Sequence, residues 1–212
     1  MERIRKSALP QLERVRAAGD ASIVLNSVYD LPFGTRVFIW CRRSKVQKDG
    51  DAGEQEIYYR AKAHELGLVV VGVEVVTQSG YDPWRLAKVF GRARLAGAVV
   101  VAATPNRFLR SEHFVSNDGR NHDRQATASQ WDDLAFIANG VKAATFINPK
   151  ASPAEERAEH QRRSKAMKRP NARRTMLQPI AIELYKSGWF KREVSRYLGV
   201  HESTIRVWLS TI

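Results

Sequence analysis

Short apolar runs separated by amphipathic stretches occupy the middle of the chain. Val37–Cys41 is apolar throughout and predicts a central strand. A polar loop, Lys45–Gly53, is followed by helical spacing of Ile57, Ala61 and His64 or Glu65, which predicts a helix around Glu54–Leu66 stopped by Gly67. Leu68–Thr77 (LVVVGVEVVT) is nearly all β-branched and predicts a strand buried on both faces, hence a parallel or mixed sheet. Ser79-Gly80-Tyr81-Asp82-Pro83 reads as a turn, with Pro83 opening a helix that runs to about Ala96. Ala98–Ala103 and Lys142–Ile147 read as further strands, with a helix near Ser129–Ala138 ending at Asn139-Gly140. Between them, Ser111–Ala126 is polar and holds Asn117-Asp118-Gly119, the mark of a turn or mobile loop. Strands alternating with helices predict an α/β domain with a mixed or parallel sheet over residues 36–150.

The flanks differ. Residues 1–35 are weakly periodic, contain Pro10, Pro32 and Gly34, and form an N-terminal extension with a short helix around Gln11–Ala18 and no recognisable chemistry. Pro149 and Pro153 mark a boundary, after which residues 151–174 form a basic helix or linker. Its run Arg157–Arg174 has eight basic side chains against one acidic one, Glu159. Such a run is either a solvated helix face or an arm along a nucleic-acid backbone, where each neutralised phosphate steepens salt dependence.

Residues 175–212 then predict a small all-α module with helices at Pro179–Lys186, Lys191–Leu198 and Glu202–Ser210 and a turn at Gly199-Val200. Ile182, Leu184, Val194, Leu198, Val200, Ile205 and Leu209 can close one core. That leaves His201, Glu202, Ser203, Thr204 and Arg206 on the outer face of the third helix, where a helix-turn-helix reads base edges. A helical hairpin that contacts another protein is the alternative.

Charge sharpens this picture. The 212 residues carry a formal charge of +13 with a pI near 10.2, a field that favours a polyanion, of which double-stranded DNA fits the C-terminal module. The single cysteine, Cys41, excludes an internal disulfide framework and, set in an apolar strand, reads as a buried inert thiol. No apolar run approaches the ~20 residues that span a bilayer, and the start MERIRKSALPQLERVR lacks a signal-peptide core. A cytoplasmic, nucleoid-associated protein without a membrane partner is expected.

Candidate chemistry gathers where strands should surface. The first strand runs into Arg42-Arg43-Ser44, and the third into Asn106-Arg107-Phe108-Leu109-Arg110-Ser111. Singly, these are a loop serine and surface charges. Jointly they resemble the serine recombinase family of resolvases, invertases and serine integrases. Trp40-Cys41-Arg42-Arg43-Ser44 matches the family's Tyr-x-Arg-x-Ser with Trp in the Tyr place, and Gln55 represents its Gln-containing helix. Ser79-Gly80 with Arg85 matches its Ser-Gly turn and following arginine, and Asn106-Arg107-Phe108-Leu109-Arg110 its Asp-Arg-Leu-x-Arg. A C-terminal helix-turn-helix is also the arrangement of the smaller members.

The resemblance implies a site-specific DNA recombinase with Ser44 as nucleophile, forming a 5′-phosphoserine link that strand exchange reverses. Arg42, Arg85, Arg107 and Arg110, with Gln55 and Asn106, would complete the site. Arg173, Arg174 and the third-helix face would contact DNA, and a homo-oligomer, a dimer or a tetramer on DNA, would do the cutting. Arginines can stabilise a phosphoryl transition state without a metal or other cofactor, and the scattered carboxylates suggest no Mg²⁺ site. Asn106 departs from the family's Asp, the assembly helix after Ile147 is short, and Glu112–Gln125 reads as an insertion. Two rivals follow: a catalytically impaired recombinase-like regulator or accessory protein, and a helix-turn-helix repressor with an unrelated α/β ligand domain.

Overall fold

The computed structural model describes residues 25–43, 52–77, 83–108, 113–115, 121–123, 134–148 and 152–210. Among these residues five strands form one sheet: β1 (Leu25–Ser27), β2 (Arg36–Arg43), β3 (Val69–Thr77), β4 (Val99–Ala102) and β7 (Ala143–Thr145), in the order β1-β7-β4-β2-β3. Every pairing in it is parallel. Its helices are α1 (Ala52–Glu65), α2 (Pro83–Leu95), the single turn α3 (Pro105–Phe108) and α4, described over 134–138.

The alternation of β2 explains the layering. Val37, Ile39 and Cys41 face one way and pack with Tyr59 and Ala63 of α1. Phe38 and Trp40 face the other and pack with Leu86, Val89, Phe90 and Ala93 of α2. The sheet is thus covered on both faces, as a parallel sheet requires. Between Val37 and Phe38 the β2–β3 register slips, setting Phe38 opposite Gly72. A Cβ on Gly72 would lie 2.4 Å from the Phe38 ring, so only glycine leaves room for it there. The Arg92 guanidinium sits 4.9 Å above the same ring and reaches Glu74 at 3.0 Å.

Several expectations change. Leu68–Thr77 is not buried on both faces: β3 is the sheet edge, and Val69 and Val75 are 40% and 38% exposed. The run is apolar because its inner residues Val70 and Val76 pack on the helices, not because strands flank it on both sides. Within Ser111–Ala126, expected as a loop, β5 (His113–Val115) and β6 (Asn121–Asp123) form an antiparallel pair, backbone pairing having overridden polar side chains. The N-terminal extension contributes β1, which pairs with β7 through Leu25↔Ala143 to Ser27↔Thr145. Gln11–Ala18, most of Lys45–Gly53, Ser79-Gly80 and Asn117-Asp118-Gly119 lie outside the described residues.

After the sheet come α5 (Pro153–Met167), α6 (Ala172–Lys186), α7 (Lys191–Leu198) and α8 (Glu202–Leu209). A capping box starts α5: Ser152 N–H donates to the Glu155 carboxylate at 2.7 Å and the Glu155 N–H to Ser152 Oγ at 3.3 Å. The Ser152 N–H and, at 2.9 Å, the Ser152 hydroxyl both donate to the Glu155 carboxylate and hold it below its usual range. The basic run is therefore partly a helix packed on its own domain. Tyr58 donates to Glu159 at 2.9 Å, Arg163 donates to Tyr59 Oη at 3.3 Å, and both Glu159 and Arg163 are buried.

The first helix of the C-terminal module starts at Ala172, not Pro179, which sits inside it. The helix extends upstream because Leu177 joins Ile180 and Ala181 in the module's core, and Ala172 in its first turn is buried as well. Ile182 and Leu184 only flank the core, whose centre is Leu177, Ile180, Ala181, Val194, Leu198, Val200, Ile205, Trp208 and Leu209.

Candidate functional site

Parallel pairing puts every strand's carboxyl end at one edge of the sheet. From β2 the chain passes through α1 to β3 on one side. From β3 it passes through α2, on the opposite face, to β4 on the other side of β2. The strand order therefore reverses between β2 and β4, and a doubly wound sheet opens its crevice at the carboxyl ends of that pair.

Arg42 and Arg43 end β2 there, and α3, with Asn106 and Arg107, follows β4. Arg42 and Arg107 are half-buried, whereas Arg85 is exposed in the first turns of α2, which begins at the same edge. Gln55 lies in the first turn of α1, also at this edge; it is 3% exposed and its Oε1 has no hydrogen-bond partner among the described residues. A buried amide oxygen left over is a group that a further donor would satisfy. Ser44, next after Arg43, and Arg110 lie outside the described residues, as do the side chains of Arg43 and Asn106.

Two contacts hold α3 in place. The Trp40 indole N–H donates to the Arg107 carbonyl at 2.8 Å, and the Arg107 N–H donates to Thr104 O at 3.0 Å. Phe108 is 1% exposed in the cluster that includes Trp40, its ring 6.2 Å from Phe90. A side chain two residues before Arg42 thus grips the backbone of Arg107, joining the two arginine-bearing segments. The pattern of sequence identified Trp40 only as an apolar stand-in for Tyr; its N–H, which Phe or Leu would lack, is the signal. Cys41, beside it, is 1% exposed, and burial pushes its thiol up to about 12. It is a packing residue and no nucleophile.

The second region is the C-terminal module. Gly199 takes the left-handed turn, φ +62°, between α7 and α8. His201 caps α8, its Nδ1 accepting from Ser203 N–H at 3.3 Å and lying 2.8 Å from Ser203 Oγ. His201, Ser203 and Arg206 are exposed, Glu202 and Thr204 half-buried. Glu202 accepts from Arg206 Nη2 at 2.7 Å and Nε at 3.2 Å, and this bonding holds its carboxyl below the usual range. Arg173 and Arg174 are exposed on α6, where Arg173 donates to Gly199 O at 2.9 Å and Arg174 to Gln178 at 2.9 Å. Arg173 thereby ties α6 to the turn.

The module does not hang free. Ile57 and Ala61 of α1 pack into its core. Arg60, ion-paired with Glu56 at 2.9 Å, donates to the Tyr197 carbonyl. Val70 N–H on the edge strand donates to Tyr197 Oη at 3.5 Å, and His64 faces Glu183 at 3.7 Å. Sequence reading missed this seam, since Glu56 and Arg60 look like an ordinary solvated pair one turn apart. Among the described residues no three His, Cys, Asp or Glu side chains group as metal ligands, and no helix is long and apolar enough to cross a membrane.

No family model and no curated protein matches this sequence. Among solved structures, the C-terminal catalytic domain of ISC1926 TnpA, an IS607-like serine recombinase, is similar at 17% identity and a TM-score of 0.38, over 75% of this chain and 92% of that one. At that TM-score the likeness assigns this chain to no family.

Proposed function

We propose that the protein is a serine recombinase that cuts and rejoins duplex DNA without a metal, its C-terminal module choosing the site. The observation that carries this reading is the switch point between β2 and β4, where β2 ends in Arg42-Arg43, α3 carries Arg107, and Trp40 ties the two segments together. Ser44, adjoining Arg43, is the nucleophile: its Oγ bonds to a backbone phosphorus, the 3′-oxygen leaves as a hydroxyl, and the serine proton passes to solvent or a neighbouring base. Attack by a 3′-hydroxyl on the phosphoserine then reseals the strand and returns the serine. Negative charge on the non-bridging oxygens is met by Arg42, Arg107, Arg85 and Arg110, whose guanidinium forks suit phosphate. Gln55 and Asn106 orient these groups.

The test is a denaturing gel of protein incubated with candidate recombination sites. A Ser44-dependent covalent adduct is expected, lost in Ser44→Ala while DNA affinity stays nearly unchanged and insensitive to EDTA. An adduct that survives Ser44→Ala removes the assigned nucleophile, and activity lost in EDTA and restored by Mg²⁺ moves the protein to a metal-dependent nuclease.

A second reading, a recombinase-like DNA-binding regulator, is favoured by α5. Among its described side chains the buried ones are Glu159 and Arg163, which bond to Tyr58 and Tyr59 of α1, and the exposed ones are small or polar. Such a surface supplies little apolar area for assembling subunits. Sequence-selective binding with no adduct on any duplex supports this second reading.

A further inference from the structure

The outward side of α8 has a composition that its own folding does not explain. Ile205, Trp208 and Leu209 face the core at 0%, 5% and 7% exposure. Opposite them Ser203, Arg206, Val207 and Ser210, spaced i, i+3, i+4 and i+7, make one exposed stripe. Val207 is 60% exposed. A β-branched apolar side chain there packs against nothing in the core and is a weak helix former. Its neighbour Arg206 is pre-set: Glu202 takes its Nε and Nη2 on the side edge, leaving the Nη1–Nη2 end uncommitted among the described residues. The stripe is anchored at both ends, by the His201 cap and by Gln178 Nε2 donating to Trp208 O at 3.1 Å. The Ser203 hydroxyl is engaged with His201 and the Ser210 hydroxyl donates to Val207 O at 2.8 Å, so the two side chains left to make contacts are one planar fork and one pair of methyl groups.

We propose that Arg206 and Val207 read neighbouring base pairs in the major groove, Arg206 the N7/O6 acceptor pair of a guanine and Val207 the C5-methyl of a thymine. Each side chain matches the one base edge that complements it: a two-donor fork for guanine, an apolar surface for the thymine methyl. Glu202 acts as a positioning residue that fixes the rotamer of Arg206. This rests on the reading of the C-terminal module as the part that selects DNA sequence.

Selection of the full chain against random duplexes, followed by binding titrations on the enriched duplex, tests it. Enrichment of a guanine and a thymine at adjoining positions is expected. Replacing that guanine by 7-deazaguanine should weaken wild type about tenfold or more, and replacing the thymine by uracil about fourfold, the worth of one buried methyl. Arg206→Met, which keeps the length but has no donor, should be indifferent to 7-deazaguanine, and Val207→Ser, which has no apolar surface to offer, to uracil. If no sequence is enriched, both the module's role and this assignment fall. If a sequence is enriched but wild type binds the substituted duplexes equally well, or the variants keep the full discrimination, this assignment alone is overturned.

Discussion

At the scale of single residues, Trp40 has the most distinctive role. Its ring fills the α2-side core while its N–H satisfies the Arg107 carbonyl, so one side chain both packs and aims. Trp40→Phe keeps most of the ring and removes only the donor. The expected cost is about 1–3 kcal/mol, that of an unsatisfied carbonyl in a part-buried site, read by urea denaturation. On the proposed function, adduct formation should fall further than DNA affinity, because α3 then loses its hold beside the crevice. Equal falls in both would mean that Trp40 supports the fold alone. The tryptophan was legible as a strand residue from its neighbours, but its bond to a residue 67 positions away was not.

At the scale of elements, the turn between α7 and α8 doubles as a docking surface. Gly199 sits where an added Cβ would come within 3.0 Å of Glu56 Oε1 on α1, and its φ is positive. Gly199→Ala combines a left-handed strain of about 1–2 kcal/mol with pressure on the Glu56–Arg60 pair. The module should loosen from α1, seen as faster proteolysis in residues 168–172 and a lower urea midpoint. Arg60→Ala should do so more severely, by about 2–5 kcal/mol, because it leaves Glu56 and the Tyr197 carbonyl without their partner in a part-buried seam. If either variant matches wild type in both measurements, the seam contributes nothing to stability.

At the scale of the whole molecule, buried hydroxyls and a buried thiol make the fold sensitive to alkali. Folding lifts Cys41 from 9.0 to about 12, and burial likewise raises Tyr58, Tyr59 and Tyr197. Below about pH 9 both folded and unfolded chains keep the thiol proton, and stability does not depend on it. Above 9.0 the unfolded chain releases a proton that the folded chain retains, so stability falls with rising pH, by up to ~1.4 kcal/mol per pH unit for this one group. Thermal midpoints should therefore hold level from pH 7 to 9 and drop beyond. Cys41→Ala, though less stable at every pH for its cavity, should hold level until the tyrosines of the unfolded chain ionise near 10. An onset that does not move in Cys41→Ala would contradict the assigned cause. Because α1 joins the sheet, α5 and the C-terminal module, these losses should appear in a single unfolding transition.

The sequence by itself determined the kind and order of the main strands and helices, though not β1, β5 or β6. Period-two and uninterrupted apolar runs marked β2, β3, β4 and β7, and helical spacing with Gly and Pro punctuation marked α1, α2, α7 and α8, because local burial repeats with the backbone's own period. It also located the arginine-bearing strand ends, since an apolar run that stops at charged residues must surface there. Tertiary structure alone decided what covers each surface. A run such as Val69–Thr77 reads the same at the edge or the centre of a sheet, because neighbours are chosen by the crossover connections and not by the strand. Glu56 with Arg60, and Glu159 with Arg163, have the spacing of solvated pairs, yet close packing on α1 buries three of the four to a relative exposure of 9% or less. Charge in a sequence tells of a need for partners, and only the folded chain shows whether those partners are water, DNA or the protein itself.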